Sequence, residues 1–238
     1  GALLLSFVPL GYVFFVDVIT AGVAIVIMLT AFVLPERKIE AKADGNFINE
    51  LLLGIKYIMK RSYLKQFFLF CFIYFFMMAP AAFLTQLQVV RNYGDDYFYL
   101  AAIEVAFSAG MLIGGIAITA WGGFKNRIHT MFVSTLIMGI CTLLLGIKIP
   151  FAPYVGLMVL FGAAMPLLNT PATVMLQERV DYQYLGRVMS IMTMINTSMM
   201  PLGMVLFGPL ADLIPIEWLL LGTGAFVIAV SFFMVKST

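Results

Sequence analysis

The sequence predicts an all-α integral membrane protein, a bundle of apolar helices, and three observations carry that prediction. Of 238 residues, 63% are apolar and only 11% charged, with a mean hydropathy of +1.04; a soluble domain carries about 25% charged residues. The apolar residues gather into runs long enough to cross a bilayer, about 20 residues each. These runs are apolar on all sides, which excludes the alternating strands of a membrane β-barrel.

Taken in order, residues 1–8 read as the tail of a span whose start precedes Gly1, so the sequence reads as a piece of a longer protein. Pro9-Leu10-Gly11-Tyr12 turns the chain, and residues 13–34 form the first complete span, closed by Pro35-Glu36-Arg37-Lys38. Further spans are expected near 66–90, 97–120, 128–148, 153–176, 188–210 and 216–235, giving seven complete spans plus the remnant. Connections of about five to twelve residues force antiparallel neighbours.

The stretch 36–64 is the only long polar segment. Within it Phe47, Leu51, Leu52, Ile55, Ile58 and Met59 fall on one helical face, with Asn49, Glu50, Lys56 and Lys60 on the other and Asn46 as N-cap. The pattern predicts an amphipathic helix at the cytoplasmic interface, its lysines toward anionic headgroups. A linker that merely happens to be helical is the alternative.

Positive charge predicts orientation. With alternate loops on the same side, one side holds Arg37, Lys38, Lys42, Lys56, Lys60, Arg61, Lys65, Lys125, Arg127, Arg179, Arg187 and Lys236, and the other only Arg91 and Lys148. Positively charged loops stay cytoplasmic, so the C-terminus is expected there, in a multi-pass protein of a plasma (bacterial inner) membrane. Cys71 and Cys141 lie within apolar runs and His129 is the one histidine, so neither a disulfide framework nor a metal site is expected. No phosphate-cradling Gly-x-x-x-x-Gly-Lys-Ser/Thr loop is present. Neither an enzyme nor a nucleic-acid partner is expected.

One-plus span, a basic linker and six further spans resemble the second half of a major facilitator superfamily transporter. Gly1-Ala2-Leu3-Leu4-Leu5 followed by Val16-Asp17-Val18-Ile19-Thr20 resembles the passage from helix 5 to helix 6 in the macrolide-efflux-like branch of its drug–proton antiporters. Gly186-Arg187-Val188-Met189-Ser190 resembles the start of that branch's helix 11, and Pro201-Leu202-Gly203 with Gly208-Pro209-Leu210-Ala211-Asp212 its exit. The resemblance implies a partial major facilitator fold equivalent to helices 6–12, with inverted three-helix repeats. It divides the chain into 1–35 (the end of an N-terminal half), 36–64 (linker) and 65–238 (a C-terminal six-helix bundle), and makes the missing N-terminal half a partner. A faint repeat aligns Ala109-Gly110-Met111-Leu112-Ile113-Gly114-Gly115 with Leu202-Gly203-Met204-Val205-Leu206-Phe207-Gly208. One departure concerns the loop Trp121-Gly122-Gly123-Phe124-Lys125-Asn126-Arg127, which lacks the aspartate common in the family, and a charge-relay latch there is in doubt.

Ionisable groups inside spans are costly and therefore the first functional candidates. Glu104 lies about 10 Å below the outer end of its helix at ~1.5 Å per residue, where its charged form is poorly solvated. It is the leading proton-coupling candidate, and a Glu held permanently by a neighbouring helix is the alternative. Asp17 ranks second, with helix packing as its alternative. Thr85, Gln86, Gln88, Asn169, Thr170 and Asn196 are substrate-cavity candidates, and interhelical hydrogen bonding is the competing reading. Pro80, Pro166 and Pro171 free carbonyls that can line a cavity. The cluster Met189, Met192, Met194, Met199, Met200 and Met204 offers either a soft lining for apolar substrates or a lipid-facing surface. Gly110, Gly114, Gly115, Gly203 and Gly208 read as sites of close helix approach. His129 reads as interfacial decoration. Arg127, Glu178, Asp181 and Arg187 are cytoplasmic gate or anchor candidates.

These features favour a secondary active transporter that exports hydrophobic drugs or macrolide-like compounds by alternating access. A proton gradient rather than a bound cofactor supplies the energy; its partners are protons, a small hydrophobic substrate and the lipid bilayer. An uptake permease for a small metabolite and a non-transporting membrane sensor or scaffold are the alternatives.

Overall fold

The computed structural model describes residues 18–23, 25–27 and 47–236. Two units divide the chain, residues 1–45 and 46–238. In the first, residues 18–23 and 25–27 are helical, inside the first predicted span. Asp17, the remnant span, the turn at 9–12, residues 36–45 of the linker and the predicted cap Asn46 lie outside the described residues.

The second unit is entirely helical between its connections. Helix α1 (Phe47–Lys60) precedes six helices long and apolar enough to cross a bilayer: α2 (Ser62–Tyr93), α3 (Tyr97–Trp121), α4 (Arg127–Leu145), α5 (Phe151–Arg179), α6 (Tyr182–Leu213) and α7 (Ile216–Lys236). The expected connections are too long. Only residues 180–181 join α5 to α6, and only 214–215 join α6 to α7. The physical reason is that an apolar run marks the lipid-embedded core, whereas the helices continue into polar flanks such as Lys65 and Arg91 until a cap or breaker ends them.

Those stops are local. Asp96 caps α3 by accepting a hydrogen bond from the Phe98 N–H (2.9 Å), and Asn126 caps α4 from the Ile128 N–H (3.1 Å). Gly122 ends α3 at φ +77, a left-handed conformation that disfavours other residues. Pro80, Pro166, Pro171, Pro201 and Pro209 sit within continuous helices. The carbonyl freed by Pro80, that of Phe76, faces Gly203 across the helix contact, 3.2 Å from where a Cβ would stand. It lines a helix seam and not a cavity, correcting the expectation for that proline.

The most extensive pairings are α3 with α5, α4 with α7 and α4 with α5, followed by α2 with α6 and α2 with α7. Exchanging the triplet α2–α3–α4 with α5–α6–α7 maps this set of pairings onto itself. Because odd and even helices run oppositely, the exchange also reverses direction, and the bundle is an inverted repeat. The aligned glycines obey it. A Cβ on Gly110 would stand 2.1 Å from the Val159 carbonyl oxygen on α5, and one on Gly203 would stand 2.3 Å from the Ala79 Cβ on α2. Gly114 and Gly162 are equally tight against Ala163 and Phe107. Gly115 and Gly208, again an aligned pair, have open space, so close approach does not explain them.

Helix α1 departs from its predicted geometry. The expected single apolar face splits in two: Leu51 and Ile58 turn inward with Gly54 and Tyr57, against α6 and α2, whereas Leu52, Ile55 and Met59 are exposed beside Ile48. Glu50, expected on the solvated face, pairs with Arg187 on α6. The helix is docked by ion pairing and a stacked Tyr57–Tyr184 pair (4.4 Å) as well as by apolar burial.

Gly114→Val must displace the α5 backbone at Ala163, a strain of about 1–3 kcal/mol, and thermal melting of the purified protein is expected to show a clear drop. Gly115→Ala, with open space, is expected to leave the melting temperature unchanged or slightly raised.

Candidate functional site

Helix pairing across the repeats leaves clefts between sequence neighbours. One, of about 240 Å³, opens between α2 and α3 and is lined by Ala81, Ala82, Thr85, Gln86, Ile103, Glu104 and Phe107, with Met158, Phe161 and Met165 of α5 and Met200 of α6. The other, also about 240 Å³, lies between α5 and α6 and is lined by Asn169, Ala172, Thr173, Leu176, Met189, Met192, Thr193 and Asn196. They are repeat equivalents. Matching Phe76 with Val159, from their glycine contacts, places Gln86 against Asn169 ten residues on.

In the first cleft Gln86 Nε2 donates to Glu104 Oε1 at 2.9 Å. Both residues are exposed on the bundle surface, although Glu104 lies seven residues inside α3. Thr85 lines the same cleft, but it is buried and its hydroxyl donates to the Ala81 carbonyl at 3.0 Å. Gln88 is elsewhere: fully buried, it donates to the Leu145 carbonyl (2.8 Å) and accepts from the Tyr154 hydroxyl (3.1 Å), tying α2 to α4 and α5. Asn169 and Asn196 meet in the second cleft, while Thr170 is exposed beside it and outside its lining. The methionine cluster divides. Met189 and Met192 line the second cleft and Met200 the first, Met199 is buried, and Met194 and Met204 are exposed.

At the end where α2 begins and α5 ends, ion pairs concentrate. Arg127 binds Glu178 at 3.0 Å, joining the start of α4 to the end of α5. Arg187 and Asp181 do not pair with each other: Arg187 takes Glu50 of α1, and Asp181 takes Arg61 at 2.7 Å. The Asp181 backbone N–H also donates to the Tyr57 hydroxyl at 3.0 Å, and the Arg61 guanidinium covers the Tyr57 ring. Of the anchor candidates, Asp181 and Arg187 thus hold α1 and the short α5–α6 connection together, whereas Arg127 and Glu178 tie α4 to α5. Sequence reasoning missed Glu50, Tyr57 and Arg61, whose partners are more than a hundred residues away.

The opposite end is aromatic. Tyr93, Tyr99, Phe151 and Tyr154 stack edge to face, with Tyr93–Phe151 at 5.2 Å and Tyr99–Phe151 at 4.7 Å, and the Tyr93 hydroxyl donates to the Ile149 carbonyl. Arg91 stands there, 4.0 Å from Asp212.

Comparison with known proteins agrees with this architecture. The family model of the Major Facilitator Superfamily matches residues 1–204. Macrolide efflux protein A of Streptococcus pyogenes is 27% identical over 233 residues, covering 97% of this chain and 58% of the relative. Macrolide efflux protein A of Enterococcus faecalis is 27% identical over 206 residues, covering 86% and 64%. An uncharacterized MFS-type transporter of Bacillus subtilis, YvqJ, is 25% identical over 170 residues, covering 71% and 40%. The chain therefore spans between two fifths and two thirds of the length of these relatives. No solved structure matches it.

Gln88→Leu strands the Tyr154 hydroxyl and the Leu145 carbonyl in a dry core, at about 1–3 kcal/mol. Thermal melting is expected to register that loss.

Proposed function

The chain belongs to the major facilitator superfamily, and from that premise we propose that the protein exports hydrophobic or macrolide-like compounds by alternating access, driven by proton entry. The observation that supports this reading is the Gln86–Glu104 pair at the mouth of a methionine- and phenylalanine-lined cleft. Met78, Met158, Met165 and Met200 supply an adaptable apolar surface, and a single carboxylate supplies the switch.

The pair suits a group that must exist in two protonation states. When Glu104 is ionised, the Gln86 amide N–H donates to it, as the geometry has it. When Glu104 is protonated, its hydroxyl becomes a donor, and a half-turn of the Gln86 amide presents a carbonyl oxygen to receive it. Both states keep a hydrogen bond, so neither is forced out of the membrane interior by an unpaired polar group. Coupling then follows from exclusion. A substrate that donates hydrogen bonds or carries positive charge competes with the proton for the same oxygens. The neutral, protonated cleft can close against lipid or the facing half at lower cost than the charged one.

On this reading the basic end faces the cytoplasm in a bacterial plasma membrane, with the C-terminus on that side. Residues 65–238 then correspond to the C-terminal bundle of the transporter and residues 1–35 to the end of its N-terminal half. The basic segment 36–64 joins them. Asn169 and Asn196 in the second cleft extend the binding surface toward the basic end. An uptake permease for a polar metabolite would ask for more charge than this one carboxylate among amides and hydroxyls.

Glu104→Gln is expected to reduce proton-driven efflux to background in resistant cells and in proteoliposomes, with normal membrane expression and melting temperature. Unchanged pH-dependent efflux in that variant overturns the coupling role. A sensor or scaffold would show neither transport nor dependence on Glu104.

A further inference from the structure

Helices α2, α4, α5 and α7 contribute to both ends of the bundle, and the two ends are filled differently. At the aromatic end Gln88, Tyr154 and Tyr93 close the space between them. At the basic end the same four helices leave a pocket of about 330 Å³, within the range of ligand pockets, about 300–1,000 Å³. Its floor is apolar and buried, from Phe67, Phe70, Met131 and Met175, and its rim is polar, from Ser62, Tyr63, Gln66 and Arg179. A second hollow of about 470 Å³ adjoins it, sharing Ile128, Met175 and Arg179 and adding Lys125 and the Arg127–Glu178 pair.

Arg179 is the distinctive member. Its guanidinium sits 5.7 Å from the centre of the Tyr63 ring, and its backbone carbonyl accepts from the Tyr63 hydroxyl at 2.9 Å, so its position is held. The other arginines at this end, Arg61, Arg127 and Arg187, each have a carboxylate, and no ion pair is found for Arg179 or for Lys125 among the described residues. Glu178, the acid nearest this rim, is already matched by Arg127 at 3.0 Å. Two cations without an ion pair among the described residues, over a buried apolar floor, are complementary to an amphiphile with an anionic head.

We propose that this pocket binds an anionic phospholipid of the surrounding leaflet, with its phosphate at Arg179 and Lys125 and one acyl chain against Phe67, Phe70 and Met175. The source is argued from position. The pocket opens at the helix ends, on the side where Lys56, Lys60 and Lys65 add further positive charge, and such a surface concentrates anionic headgroups. The site lies at the end of the bundle remote from Glu104, with no lining residue in common with the Gln86–Glu104 cleft. It therefore stands or falls separately from the transport reading.

Native mass spectrometry of the intact, delipidated protein tests it, with phosphatidylglycerol, phosphatidylcholine, oleate and inorganic phosphate as separate probes. Phosphatidylglycerol is expected to bind in preference to phosphatidylcholine. Arg179→Gln is expected to lower its affinity about fivefold, the contribution of one basic residue at an anionic surface, and Arg179→Lys to retain most of it. Gln66→Trp, which fills the pocket from a half-exposed rim position, is expected to lower affinity without altering the melting temperature. Equal phosphatidylglycerol binding by the parent, Arg179→Gln and Gln66→Trp overturns the site. Capture of oleate without phosphatidylglycerol, or of inorganic phosphate as strongly as the lipid, overturns the phospholipid assignment.

Discussion

Everything in this bundle depends on how closely two pairs of backbones approach. In lipid there is little hydrophobic gain from bringing helices together, so association rests on packing, and packing rests on small residues. Gly110, Gly114 and Gly162 bring α3 against α5 until carbonyl oxygens occupy the space a Cβ would need, and at Gly203 the Ala79 methyl of α2 occupies that space against α6. Those contacts commit α2, α3, α5 and α6 to partners in the other triplet, with Gly139 and Gly224 making a close approach between α4 and α7. The clefts between α2 and α3, and between α5 and α6, are what remains. Glu104 and Gln86 border one, and Asn169 and Asn196 the other, because the glycines spent the close contacts elsewhere.

Much of this was legible in the sequence, for reasons that can be stated residue by residue. Bilayer thickness fixes helix length, so apolar runs located all six described spans. Glycine is the only residue admitting carbonyl contact, so the short alignment of Ala109–Gly115 with Leu202–Gly208 carried true repeat information at Gly110 and Gly203. It failed at Gly115 and Gly208, since sequence does not tell which side of a helix meets a neighbour. Gln88 and Gln86 looked alike two residues apart, but about 200° of helical rotation separates them, and one is a buried strut while the other borders a cleft.

Helix α1 illustrates the remaining limit. Periodicity finds one apolar face, yet a helix with two neighbours needs two. The half of the stripe that goes inward meets Asp181, Tyr184 and Arg187, residues at the start of α6 and in the connection before it, far along the chain. The individual ion pairs are part-exposed and each is worth little, about 0–1 kcal/mol. Their effect is geometric, because Glu50–Arg187 and Arg61–Asp181 with the Tyr57–Tyr184 stack fix one short helix across the start of α2 and the start of α6.

The contrast between the two ends of the bundle has a mechanical consequence. Separating ion pairs at a wet surface exchanges one set of polar partners for another, since water solvates the released charges and ionic strength lowers what little is lost. Separating Tyr93, Tyr99, Phe151 and Tyr154 exposes aromatic area with no such replacement. One end behaves as a clasp and the other as a hinge pin, so deformation of this half starts from the charged end and salt concentration is the variable that selects for it.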